Sequence, residues 1–403
     1  MHEFDNACAR LPPRRQRVLL IYSAVALLAA TLGVGATLAV RLFGIGPDAS
    51  QPAPVVTLND EAVYSKVEPG VVDVSADLQY LDETAEGTGF VFNAGDGLVL
   101  TNNHVIDGAT SVTITPVLTG KSYPATVIGY DLPDDIAVLQ AKGVPGLKAV
   151  AMGDSASLSI GTAVLALGNE AGQGGPPTIA PGFISELGRS IVASDESSGL
   201  TETLHGMLQT SADIRPGDSG GPLANSSGQV VGMDTAAGDG GSGASYAGYA
   251  IPIDTAVSIA RQILGGHPGP SIHMGMPAFL GALLPDSTST SPRRQDSDTS
   301  DGTSPSSCLA GDPSGYRSRP ASIAPATSGA LVVGVVCGTP AANAGLMAGD
   351  VITGFGGRTI TSAAGLSAML GRDRPGGGGV LTWISTGGME HAAIVTLAIG
   401  PAG

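Results

Sequence analysis

Gly217-Asp218-Ser219-Gly220-Gly221-Pro222 is the stretch on which the reading of this chain turns. Its glycines permit a tight turn and let backbone N–H groups converge on one point beside Ser219. A serine hydroxyl is a weak nucleophile at neutral pH. It needs a base within hydrogen-bond reach, and that base needs an orienting carboxylate. Upstream, Thr101-Asn102-Asn103-His104-Val105 and Asp134-Asp135-Ile136-Ala137-Val138-Leu139 offer both. Ser219 reads as nucleophile, His104 as general base and acid, and Asp135 as the group that fixes the imidazole tautomer. The N–H groups of Gly217 and Ser219 read as an oxyanion hole.

Each segment alone also has an ordinary reading: a glycine turn, a strand-edge aspartate, a turn histidine. Together, in the order His, Asp, Ser, they point to a chymotrypsin-type barrel. From Asn59 to Leu264 the chain supports that class. Short apolar or alternating runs such as Gly89–Phe92, Leu98–Thr101, Val112–Ile114, Ala163–Leu167 and Gln229–Met233 are broken by Gly, Asn and Asp. Such spacing predicts an all-β domain. Asp254–Leu264 predicts a closing helix with Asp254 as N-cap.

The 403 residues leave room for more than one domain. Aromatics make up only 4% against 60 glycines, which favours short strands and turns over long helices. A net charge of −16 and the lack of a basic, aromatic-laced patch exclude nucleic acid as a partner class. Histidines and cysteines are too few and scattered for a metal site, and no cofactor is implied.

Val18–Val40 is an uncharged stretch of 23 residues, enough for a membrane-spanning helix. Arg10, Arg14, Arg15 and Arg17 precede it, which predicts a cytoplasmic tail over 1–17 and a single-pass signal anchor over 18–40. A cleaved signal peptide is the alternative. Protease and second domain would then lie outside the cytoplasmic membrane, where Cys308 and Cys337 either pair as a disulfide or remain separate thiols. Residues 41–58 read as a linker, 59–265 as the catalytic domain, and 266–277 as a second linker. A final domain spans 278–400. It carries a Ser-, Pro- and Asp-rich insertion at about 284–327.

On these residues the chain resembles the HtrA-like serine proteases. The likeness rests on Gly87-Thr88-Gly89-Phe90, the His104, Asp135 and Ser219 segments, Gln209-Thr210, and Gly248-Tyr249-Ala250-Ile251-Pro252. In the last domain it rests on Gly345-Leu346-Met347-Ala348-Gly349-Asp350-Val351-Ile352. The resemblance implies an all-β chymotrypsin/trypsin-like double β-barrel followed by an α+β PDZ domain. Phe279-Leu280-Gly281-Ala282 would be the loop that captures a peptide C-terminus. A homotrimer is implied likewise. Asp218 departs from the family, which usually has Asn before the serine.

Asp213, six residues before Ser219, matches the base of a trypsin-type S1 pocket that Gly248 would leave open; a solvent-facing Asp213 is the alternative. Thr235, Ala236 and Ala237 would form the edge that pairs with an extended substrate. The function implied is a serine endopeptidase cleaving unfolded or partly folded proteins, in quality control or regulated proteolysis. A catalytically silent or ligand-gated PDZ scaffold is the reading from another class. Glu186–Leu204 is the candidate for a bistable segment by which a PDZ ligand would switch the protease on, with a plain surface loop as its ordinary reading.

Overall fold

The computed structural model describes residues 58–194, 201–235, 248–267, 269, 271–285, 308–309 and 320–402. Helix α1 (Asp60–Val67) opens them. The side chain of Asn59 caps it by accepting from the Ala62 N–H, and Val63 and Val67 face the core.

Six strands follow: β1 (Val71–Leu78), β2 (Glu83–Asn93), β3 (Leu98–Thr101), β4 (Ser111–Pro116), β5 (Tyr123–Asp131) and β6 (Ile136–Gln140). They pair in the order β5-β4-β1-β2-β3-β6, and β5 also pairs β6, so the sheet closes into a barrel. Alternating residues of β1 show the two-residue period of a strand. Val72, Val74, Ala76 and Leu78 pack with Val91, Val99, Val112 and Leu139 in the interior.

The next strands are β7 (Ala151–Met152), β8 (Ala163–Gly168), β9 (Thr178–Ser194), β10 (Thr201–Thr210), β11 (Pro222–Asn225), β12 (Gln229–Thr235) and β13 (Gly248–Pro252). They form a second sheet ordered β11-β8-β9-β10-β13-β12-β7, in which β11 and β12 also pair and β7 runs parallel to β12. Helix α2 (Ile253–Leu264) packs Ile253, Ala256, Ile259, Ala260 and Ile263 onto the core between the sheets. It starts one residue before the expected N-cap. Asp254 instead accepts from the N–H and hydroxyl of Ser155 and from the Ala156 N–H. Strand β14 (Ile272–Met274) returns to pair β5.

The last domain holds β15 (Ala278–Phe279), β16 (Ala282–Leu283), β17 (Ala330–Leu331), β18 (Gly334–Val335), α3 (Pro340–Ala344), β19 (Val351–Phe355), β20 (Arg358–Thr359), α4 (Ala363–Leu370), β21 (Gly378–Ile384), β22 (Glu390–Thr396) and β23 (Ala398–Ile399). Its sheet runs β17-β19-β21-β22, with β20 against β19 and two small pairs, β15–β23 and β16–β18. Ala278, Leu280, Val332, Ile352, Phe355, Leu366 and Trp383 form its own core.

Two expectations are corrected here. Glu186–Leu204 is not a plain surface loop: described parts of it belong to the β9–β10 hairpin, where Ile191 and Leu204 are buried. The expected fold class is also narrowed. It becomes a six-stranded trypsin-like barrel, a second mixed sheet and an α+β domain. Among the described residues no helix is long and apolar enough to cross a membrane, and Val18–Val40 lies outside them. The single-pass anchor, with the cytoplasmic N-terminus and extracytoplasmic placement that depend on it, lies outside the described residues and is not carried forward.

Candidate active site

His104 follows β3 and Asp135 precedes β6, and those strands are hydrogen-bonded neighbours. The Asp135 carboxylate grips the histidine twice. Oδ1 accepts the His104 backbone N–H at 2.9 Å, and Oδ2 lies 2.8 Å from Nδ1. That contact commits Nδ1 to the carboxylate and turns Nε2 away from it. Asn102 Nδ2 donates to the Asp135 carbonyl at 2.9 Å, fixing the backbone behind the pair. Asp135 is buried and has a φ of +52°. A non-glycine residue held there stores about 1–3 kcal/mol of strain.

Ser219 arrives on the turn between β10 and β11. The Asp218 N–H donates to the Arg215 carbonyl and the Gly221 N–H to the Asp218 carbonyl, each at 2.9 Å. Thr88 of β2 clamps this turn to the barrel. Its N–H donates to the Ser219 carbonyl at 2.9 Å, and its hydroxyl donates to the Gly217 carbonyl at 2.7 Å. The hydroxyl oxygen in turn accepts the Asn169 N–H at 2.8 Å. A Cβ on Gly87 would meet Val105 Cγ1 at 2.7 Å and the Ser219 carbonyl oxygen at 3.3 Å. The neighbour of His104 and the serine backbone therefore converge on one glycine, so the three segments share one corner of the protein. Thr88 and Asn102 were not assigned roles from sequence, although a lone Thr between two strand glycines was visible.

Other expected residues fall differently. Thr235 is buried, and its hydroxyl donates to Asn102 Oδ1 at 3.3 Å. Ala236 and Ala237 lie outside the described residues. Asp213 turns to solvent and accepts from Nε and Nη2 of Arg215, at 3.0 and 2.6 Å. Bonds from Asp213 and Glu170 push the Arg215 guanidinium further up from its ordinary range. The side chain that meets Gly248 is Ile214, whose Cδ1 would lie 2.9 Å from a Cβ there. A polar cavity of about 330 Å3 is lined by Glu170, Thr178, Asp213, Arg215 and Asp218, but by neither His104 nor Ser219.

Behind the serine, Asp218 Oδ2 accepts the Arg215 N–H at 2.9 Å. Burial pushes the Asp218 carboxyl up to about 6, and burial with the charge of Asp218 pushes Asp234 well above the usual range. On β1, burial and then Glu86 raise Asp73 to about 6. Among the described residues no cluster of His, Cys, Asp and Glu could hold a metal ion.

In the last domain, Phe279 lies on β15 and Ala282 on β16, flanking a turn at Gly281 with φ of +82°. The turn is braced from behind. The Ala341 N–H donates to the Leu280 carbonyl at 2.8 Å, and the Val336 N–H donates to the Gly281 carbonyl at 2.9 Å. Ala282, Leu284, Ala363, Met369 and Leu370 are partly buried around the same core. Cys308 and Cys337 are joined by a disulfide, Cα atoms 4.9 Å apart, and Leu309 forms a parallel bridge to Val336.

Two domain families match this chain: a trypsin-like peptidase domain over residues 87–233 and a PDZ domain over 316–391. Serine protease PepD of Mycobacterium tuberculosis (strain ATCC 25618 / H37Rv) is 32% identical over 412 residues, covering 94% of this chain and 77% of that protein. Serine protease Do-like HtrA of Lactococcus lactis subsp. cremoris (strain MG1363) is 32% identical over 77% of this chain and 70% of its own length. The chain belongs to the HtrA-like serine proteases. Among solved structures, HtrA-type protease AlgW with tripeptide is 25% identical, with a TM-score of 0.45, over 85% of this chain and 97% of that one. This HtrA-like chain is a serine protease with a PDZ domain that binds peptides. The homotrimer implied by the family resemblance is not carried over. The matches establish the two domains without a three-fold assembly.

Proposed function

We propose that the protein is an endopeptidase that cuts unfolded or extended polypeptides with Ser219 as nucleophile. The observation that carries this reading is the two-point grip of Asp135 on His104, beside a serine turn bonded to the same barrel. In the proposed step His104 Nε2 takes the Ser219 Oγ proton as Oγ bonds to the scissile carbonyl carbon. The carbonyl oxygen takes up the negative charge and receives the N–H groups of Gly217 and Ser219. The histidine then protonates the leaving amine as the C–N bond breaks. Water repeats the sequence on the acyl-enzyme and releases the new carboxylate. Asp135 keeps the proton-bearing Nδ1 in place throughout. The PDZ turn Phe279–Ala282 is proposed to receive a peptide C-terminus.

Ile214 beside Gly248 favours an S1 pocket with an apolar wall, and Asp213 is proposed to lie outside it. The test is casein cleavage with mapped cut sites. Ser219→Ala should lose roughly six orders of magnitude in turnover. Asp213→Ala should keep the parent's P1 residues. Equal cleavage by the serine variant would exclude Ser219 as nucleophile. No cleavage by the parent would favour the silent scaffold. Loss of basic P1 residues in Asp213→Ala would return Asp213 to the pocket.

A further inference from the structure

The backbone of Asp234 is also bonded into the serine turn that Thr88 clamps. The Gly220 N–H donates to the Asp234 carbonyl and the Asp234 N–H to the Gly221 carbonyl, each at 2.8 Å. Its side chain is fully buried, and neither Oδ1 nor Oδ2 has a hydrogen-bond partner. Asp218, the residue before Ser219, is also buried, and its Oδ1 has no partner either. A buried carboxylate without a donor is among the costliest groups a protein can hold. Three unpartnered oxygens, Asp218 Oδ1 and both of Asp234, on two buried side chains whose backbones are joined through Gly220–Gly221, demand a common explanation. A single proton supplies it, because a carboxylic acid is a donor and a carboxylate an acceptor.

We infer that Asp218 and Asp234 share one proton, with the Asp234 acid donating to the Asp218 carboxylate, and that this pair is a positioning device for the Ser219 turn. Asp218 Oδ2 remains with the Arg215 N–H, so the free oxygen is the one left for the shared proton. Like-charged carboxyls close together titrate as a pair. The first proton leaves while the second is retained, since burial opposes a second charge. Removal of the second proton would place two charges behind the nucleophile and push Asp234 away from Gly220–Gly221.

The surrounding titratable groups are few. Around Asp218, the Arg215 backbone N–H lowers it, Glu170 raises it, and the Thr178 hydroxyl and the Arg215 charge lower it. Tyr249 faces Thr235 across β12–β13, and His104 and Asp135 lie beyond Asn102. Asp73 titrates near the same range from β1, so the variant at Asp234 is needed to isolate the pair.

The sign follows from the upward shifts. A carboxyl whose folded-state value exceeds its ordinary 3.8 favours folding most fully below 3.8. That advantage declines as pH rises through the folded-state value. For Asp218 the window runs from 3.8 to about 6, and for Asp234 it extends higher.

The inference rests on Ser219 being the nucleophile, and the experiment separates the two. Unfolding midpoints are measured across pH in Ser219→Ala and in Ser219→Ala with Asp234→Asn, so no proteolysis is required. Above about pH 6, where the Asp218 window closes, the parent's midpoint should go on falling, while the Asn variant, whose amide donates without titrating, should stay level. In proteins that retain Ser219, kcat/KM should drop about tenfold over that range in the parent and less than about twofold in Asp234→Asn. If Asp234→Asn does not fold, Asp218→Asn replaces it; Asp234 there loses the charge that helps raise it, so the fall of the midpoint should end at lower pH than in the parent. Identical pH dependence of the midpoints in parent and variant would overturn the shared proton. So would calcium that raises the parent's midpoint at high pH but not the variant's, since the pair would then be a cation seat. Absence of cleavage at every pH would count against the nucleophile assignment and leave the midpoints to decide the pair.

Discussion

At Gly220 the chain passes close to both β2 and β3. A Cβ there would strike the Thr88 carbonyl and Thr101 Oγ1, and its φ is +84°. Gly220→Ala is therefore expected to cost about 3 kcal/mol or more, through contact and backbone strain together. Urea unfolding in the Ser219→Ala background measures it, and an unchanged midpoint would mean that the turn is not clamped. The three segments around His104, Asp135 and Ser219 were legible in the sequence because each chemical role demands a residue type in a recognisable local context. Asp213 and Ile214 were not distinguishable in that way. They are adjacent, and which one faces Gly248 is decided by Arg215, which draws Asp213 outward. Asp234 was invisible for a related reason: its importance lies in burial without a partner, which no spacing reveals.

Among elements, the short apolar runs of the barrel were readable by their period, and so was α2 with its apolar face. The β9–β10 hairpin was not. Its Ser- and Gly-rich composition suggests a loop, yet Ile184, Ile191, Leu204, Met207 and Leu208 are buried along it. Register shifts after Leu204 and Met207 break the simple alternation that would have announced a strand. The start of α2 also misled, since Asp254 suits a helix cap but serves the turn at Ser155–Ser157 instead. Asp254→Ala should cost about 1 kcal/mol by removing those bonds from an exposed site. Hydrogen bonds, led by that from Ser155, hold its carboxyl below 3.8. Its contribution is thus complete above 3.8 and disappears as pH falls through the lowered value. Parent and variant midpoints should differ at neutral pH and converge in strong acid; a gap that persists in acid would assign the effect to something other than the carboxylate.

In the whole molecule, the PDZ domain and the barrel meet through residues that carry no recognisable pattern. Tyr80 stacks at a tilt on Phe279, ring centroids 4.9 Å apart, and its hydroxyl donates to the Ile399 carbonyl at 3.3 Å. Beyond β23, Ala402 is buried among Leu78, Val105, Ile106 and Ala109. Its carbonyl accepts the Gly108 N–H at 2.6 Å, and its N–H donates to the Ala109 carbonyl at 3.0 Å. Gly108 and Ala109 follow His104 in one loop, while β23 pairs the strand that enters the Leu280–Gly281 turn. A few residues therefore connect the Phe279–Ala282 turn to the histidine loop by continuous backbone bonds. Ala402→Asp would bury a carboxylate with no cation beside it, so the tail should leave its seat. Hydrogen exchange of the segment containing Gly108 should then accelerate about tenfold or more, with the β-strands of both domains unchanged. Equal exchange in parent and variant would show that the loop holds its shape without the tail, and would remove this route between the two sites.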